Sequence, residues 1–245
     1  MSKYVNYLLL SAIIACMPLV SFAGTNLAPD DPVGISFWII SVAMVAATAF
    51  FFLESLRVQG KFRTSLVVGG LICLVAGVHY FYMREVWAAT GSSPTVFRYV
   101  DWIVTVPMQM IEFYLILAAV TAVSLGVFWR LLIGTVVMVV AGYLGEAGFI
   151  DTTIGFVVIM AGWAYILYEI FSGEASASAS KAAPAVQSAF NTMKWIVTIG
   201  WAIYPLGYFL GYLAGGTDDA TLNIVYNVAD FINKIGFCLA IWAAA

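Results

Sequence analysis

Charge is what this sequence has least of. Of 245 residues, only 9% are Asp, Glu, Lys or Arg, against about 25% in an ordinary soluble domain. That excludes a globule wrapped in a water-compatible surface. There is no basic excess either: 10 Lys and Arg against 13 Asp and Glu leave a net charge of −3, spread thinly. Nucleic acid is therefore excluded as a partner on electrostatic grounds. Cysteine is scarce as well. Cys16, Cys73 and Cys238 lie too far apart to show a metal-ligand pattern, so no metal is expected. Cys73 and Cys238 read as small apolar fillers.

What the chain does have is apolar surface. Hydrophobic residues make up 63% of it, and the mean hydropathy is +1.00. The lipid bilayer is the solvent such a composition requires, and each helical crossing needs roughly 20 apolar residues. Seven segments of about that length stand between short polar breaks, near 33–56, 64–87, 95–120, 127–145, 152–171, 189–214 and 220–243. The expected fold is all-α, a bundle of seven transmembrane helices. Residues 173–187, with Ser176-Ala177-Ser178-Ala179-Ser180, lack apolar periodicity and read as the one long loop.

The first residues form a different kind of segment. Lys3 precedes a short apolar run over 7–20, followed by Ser21-Phe22-Ala23-Gly24. A positive start, a run short for a bilayer and small residues before a cut define a secretory signal over 1–23, leaving 24–245 as the membrane domain. Arg57, Lys61, Arg63, Arg130 and Lys181 fall on one side of the bundle, and Asp30, Asp31, Asp151, Asp218 and Asp219 on the other. The basic side faces the cytoplasm, so the mature N-terminus lies outside. Arg84 is the exception, partly offset by Glu85.

Against this background the ionisable residues inside the apolar segments stand out, since each costs roughly 2.5–3.5 kcal/mol in a bilayer. They are His79 on the second segment, Arg98, Asp101 and Glu112 on the third, and Asp230 and Lys234 on the seventh. On a helix, Asp101 and Thr105 lie about 40° apart, and Glu112 returns to within about 20° of Asp101, roughly 16 Å further along. Arg98 sits one turn the other way. Asp230 and Lys234, four residues apart, share a face. If the two faces meet, Lys234 and Arg98 neutralise Asp101 and Asp230, the condition under which a buried cluster is tolerable. Glu112 is left without a cation and should keep its proton, because burial penalises the charged form. A mid-helix lysine is also a candidate for Schiff-base chemistry with a carbonyl compound. Trp102, Trp201, Tyr204 and Pro205 would accommodate a long, flat, apolar ligand beside it.

The stretches that carry these residues run Arg98-Tyr99-Val100-Asp101-Trp102-Ile103-Val104-Thr105-Val106-Pro107, Glu112-Phe113-Tyr114-Leu115, Gly200-Trp201-Ala202-Ile203-Tyr204-Pro205 and Asn227-Val228-Ala229-Asp230-Phe231-Ile232-Asn233-Lys234. In them the chain resembles the microbial rhodopsins, and within these the proteorhodopsins, over nearly all of its mature length. The resemblance implies a light-driven outward proton pump, an ion transporter of the bacterial inner membrane and not an enzyme. It implies all-trans retinal on Lys234 as a protonated Schiff base, Asp101 as proton acceptor, Asp230 as second counterion and Glu112 as proton donor. His79 would hydrogen-bond the acceptor carboxylate near a subunit interface. Trp102, Trp201, Tyr204 and Tyr80 would line the pocket. A homo-oligomer is implied too, and Gly207-xxx-Gly211 and Gly211-xxx-Gly215 permit close helix approach either between subunits or within one. Glu146, near the outer end of the fourth helix, is a candidate for proton release. A photosensory rhodopsin signalling to a partner protein is the alternative; no polar signalling face favours it.

Gln109 stands where green-absorbing members carry Leu and blue-absorbing ones Gln. The resemblance therefore implies blue absorption. Loaded with retinal at alkaline pH, the protein should absorb in the blue, and a maximum well into the green would remove Gln109 from that role.

Overall fold

The computed structural model describes residues 27–245; the proposed signal segment and Cys16 lie outside them. Among the described residues, seven helices are long and apolar enough to cross a membrane. They are α1 (Pro32–Ser55), α2 (Phe62–Thr90), α3 (Thr95–Val120), α4 (Leu125–Glu146), α5 (Thr152–Phe171), α6 (Pro184–Leu213) and α7 (Asp219–Trp242). Consecutive helices pack side by side, and α7 closes the ring against α1.

Local chemistry sets the ends. Asp31 caps α1 by accepting from Val33 N and Gly34 N at 3.0 Å each, with Pro32 in the first turn. Asp151 does the same for α5 and Asp218 for α7. α2 stops at Gly91, whose φ of 64° is the left-handed conformation that glycine adopts without a Cβ clash.

The outward face of the ring is apolar: Ile39, Ile133, Ile154 and Ile199 are all more than half exposed. A soluble protein does not carry so wide a band of this kind. Inward, α3 buries Arg98, Asp101, Trp102, Thr105, Gln109, Glu112, Phe113 and Ile116, at the three- and four-residue spacing of one helix face. The polar interior and the lipid-facing exterior are thus two faces of the same helices.

Residues 173–187 are more ordered than their composition indicates. Glu174–Ala179 form a short helix, and Ala175, Ala179 and Ala182 are buried in the main core. A salt-bridge cluster explains the docking. Arg130 of α4 donates to both Glu169 oxygens at 2.9 and 3.1 Å and to Glu174 at 2.8 Å, and Glu169 also accepts from Ala175 N at 3.0 Å. The partners lie on α4, α5 and the short helix, so a scan of the linker alone finds no signal. α6 also begins earlier than its hydropathy indicates, at Pro184, because the preceding helix delivers the chain directly into it.

Asp31 also accepts from the Trp87 indole at 2.9 Å, tying α1 to α2. Asp31→Ala should lower stability by about 1–2 kcal/mol, read as a lower thermal midpoint in detergent; an unchanged midpoint would mean the cap contributes nothing.

Candidate functional site

α7 departs from α-helical geometry where it carries its lysine. Phe231–Gly236 is a π-helical stretch, a rare form found frequently at functional sites. Lys234 is 1% exposed. Its Nζ pairs with the Asp101 Oδ2 of α3 and, at 3.1 Å, with the Asp230 Oδ2 of its own helix. The two predicted faces do meet.

The two carboxylates are provisioned differently. Asp230 accepts from Tyr80 Oη at 2.8 Å, Tyr204 Oη at 2.6 Å and Trp102 Nε1 at 3.4 Å, besides Lys234. Asp101 accepts from Lys234 through Oδ2, while its Oδ1 has no partner among the described residues. Charge-assisted hydrogen bonds stabilise an anion. Asp230 is therefore held as a carboxylate by four donors, and Asp101 has only the lysine. Of the two, Asp101 is the one that can take a proton with little disruption.

Arg98 is placed otherwise than neutralisation by direct pairing requires. It is 2% exposed and forms no ion pair among the described residues. Its Nη2 donates to Asn223 Oδ1 at 2.8 Å and Asn227 Oδ1 at 3.0 Å, and its Nη1 to Tyr80 Oη at 3.3 Å. The guanidinium also stacks near Phe37 and Tyr226. It reaches Asp230 through the Tyr80 hydroxyl, one bond removed. Polar side chains on α7, with no charge to flag them in the sequence, hold the arginine.

The remaining predicted residues fall at stated places. Thr105 Oγ1 donates to the Asp101 backbone carbonyl at 3.0 Å, within its own helix. His79 is half-buried with Nδ1 2.9 Å from the Val75 carbonyl. No hydrogen bond joins it to the Asp101 carboxylate among the described residues. Glu112 is fully buried, and neither carboxyl oxygen has a partner among the described residues; the Ser65 hydroxyl lies beside it without a hydrogen bond. Glu146 is not simply solvated at its helix end: it accepts from Tyr99 Oη at 2.8 Å.

Lys234 opens onto a cavity enclosing about 650 Å³ of space outside the atoms, its mouth included. Trp102, Gln109, Trp201, Tyr204 and Pro205 line it. Tyr80 does not; it stands behind Asp230. Sequence reading missed Trp163, Met138 and Gly142, which complete the wall from α4 and α5. Their only signal is helical periodicity, which marks core and pocket alike. Asn233 was missed too, though it stands next to Lys234; the Gln109 amide donates to its backbone carbonyl at 3.0 Å. A mostly apolar, aromatic-walled cavity with one amine and a few polar groups can hold a long hydrophobic molecule with a single reactive end.

Comparison with known proteins places this geometry. A family model for bacteriorhodopsin-like protein matches residues 31–245. The blue-light absorbing proteorhodopsin of Gamma-proteobacterium Hot 75m4 is 52% identical over 240 residues, covering 97% of this chain and 95% of that protein. The green-light absorbing proteorhodopsin of Gamma-proteobacterium EBAC31A08 is 50% identical over 239 residues, covering 97% and 96%. The crystal structure of blue light-absorbing proteorhodopsin from Med12 matches with a TM-score of 0.76 at 54% identity, over 86% of this chain and 97% of that one.

The unequal provisioning has a measurable consequence. Asp230→Ala leaves Lys234 with one carboxylate and strips Tyr80, Tyr204 and Trp102 of their acceptor, and should cost on the order of 3–5 kcal/mol. Glu112→Gln breaks no ion pair among the described residues and should cost clearly less. Thermal unfolding in one detergent compares them; equal losses would contradict the geometry around Glu112.

Proposed function

The chain belongs to the bacteriorhodopsin-like family, and from that premise we propose that it is a light-driven outward proton pump, an ion transporter and not an enzyme, with all-trans retinal on Lys234. It works as a multi-pass protein of the bacterial inner membrane with its N-terminus outside. The single observation that carries the reading is the asymmetry around Lys234: a carboxylate on α3 paired with the lysine alone among the described residues, and one on α7 that also accepts from Tyr80, Tyr204 and Trp102.

The residues fit the cofactor. The cavity is mostly apolar, Trp102, Trp201, Tyr204 and Pro205 stand along it, and the Lys234 amine is at hand for a carbonyl group. Joined to Nζ as a protonated Schiff base, retinal supplies the light-driven change of shape that alters how Nζ holds its proton. Everything else falls to the side chains. Asp101 Oδ2 lies against Nζ and accepts the proton, which neutralises both partners in a low-dielectric interior. Asp230, saturated by Tyr80, Tyr204 and Trp102, stays anionic and fixes the site's charge. Glu112 returns a proton to Nζ from the other side, as a carboxyl without a cationic partner holds one in reserve.

Direction follows from sidedness. Lys61, on the basic side, donates to the Ala118 carbonyl at the end of α3 beyond Glu112. Arg98 lies toward the acidic side, where Asn223 donates to the Asp219 carbonyl at 2.7 Å. A proton moving from Glu112 to Asp101 and past Arg98 travels from the basic, cytoplasmic side outward. Glu146 and Tyr99, at the outer end of the cavity, form a candidate release group.

The test is light-driven acidification around retinal-fed cells. Wild-type cells should acidify the medium under illumination, Asp101→Asn should abolish it, and Lys234→Ala should yield no visible absorption band. Acidification that persists in Asp101→Asn would refute the assigned acceptor. A stable pigment with no pH change in wild type would favour photosensing.

A further inference from the structure

α6 and α7 meet through their irregular turns. In α6 the π-helical stretch Ile196–Gly200 precedes Pro205; in α7 Phe231–Gly236 carries Lys234. A π-turn displaces backbone groups from the regular helical ladder. Two of these carbonyls are satisfied from other helices. Gly200 O accepts from Asn233 Nδ2 at 3.0 Å, and Asn233 O accepts from Gln109 Nε2 at 3.0 Å. Within α6, Tyr204 N turns to the Trp201 carbonyl three residues back, at 3.1 Å. Asn233 Nδ2 also lies 3.2 Å from Tyr204 Oη, the hydroxyl that donates to Asp230.

Asn233 is 1% exposed and directly precedes Lys234. The approach to Gly200 is close: a Cβ there would run into the Asn233 carboxamide, so only glycine permits it. The Gly200 turn lies within α6. Its cytoplasmic half carries Phe190, whose ring packs edge-on against Phe113 at 5.1 Å, beside Glu112.

We infer that Asn233 is a positioning residue that couples the Lys234-bearing turn of α7 to the π-helical turn of α6 and thereby sets the rate of proton return through Glu112. Any shift of Lys234 moves the adjacent Asn233. The carboxamide carries that shift to the Gly200 carbonyl of α6, the helix whose Phe190 packs on Phe113 beside Glu112. The first transfer, from Lys234 to Asp101, involves α3 and α7 and does not need this link. The inference rests on the pumping reading above, since it assigns timing within that cycle.

The test is flash spectroscopy on the retinal-loaded full chain, comparing wild type, Asn233→Ala, Gly200→Ala and the double variant. Each single variant should slow recovery of the resting pigment about tenfold, while the first proton transfer changes by less than about twofold. The double variant should recover no more slowly than either single one, because all three break the same link. A merely structural role would lower the thermal midpoint without splitting the two phases. Equal slowing of both phases, additive slowing in the double variant, or loss of pigment in both single variants overturns the coupling. If only one single variant forms pigment, the split between its two phases decides. Failure of the wild type to form a pigment or acidify the medium would instead remove the pumping reading itself.

Discussion

One buried amine between two unequal carboxylates organises this molecule. Lys234 cannot sit in an apolar bundle without a counter-charge, and two carboxylates cannot sit there together without donors. The bundle resolves the conflict by asymmetry: Tyr80, Tyr204 and Trp102 converge on Asp230, while Asp101 depends on Lys234. Weakening the hold of Lys234 on its proton is then felt first at Asp101. The same asymmetry that makes the cluster tolerable is the one the proposed pump would use for direction.

The arginine is part of that resolution at one remove. Placed against Asp101 it would give that carboxylate a second cationic donor. Held by Asn223 and Asn227, it acts on Asp230 through Tyr80 and leaves Asp101 to the lysine. Glu112 has no cationic partner among the described residues, and the Ser65 hydroxyl lies beside it. These three carboxyl groups thus have three environments: saturated, paired with the lysine alone, and without a cation.

Among the described residues, π-helical turns occur in α6 and α7 and in no other spanning helix. α1, α2, α4 and α5 run unbroken, with their ends capped by Asp31, Gly91, Ser124 and Asp151. α6 and α7 carry π-helical turns whose carbonyls find partners in Asn233 and Gln109. Gln109 therefore has a structural bond as well as a place on the cavity wall, so its amide is held in a defined orientation there.

The sequence alone determined the seven crossings, since a chain with 9% charge and apolar runs of bilayer length has no other way to hide its backbone. It also marked Asp101, Glu112, Asp230 and Lys234, because an ionisable residue inside such a run is too costly to be idle. What it could not determine was which groups face one another across helices. Tyr80, Asn223, Asn227 and Asn233 are ordinary polar residues until α2, α3, α6 and α7 are brought together, and Arg98 finds its partners only then. The short helix over Glu174–Ala179 was hidden for the same reason: Arg130 and Glu169, distant in sequence, anchor it. Solvent sets the helices one at a time. The pairing of buried polar groups depends on all of them at once, and that is decided only when the ring closes.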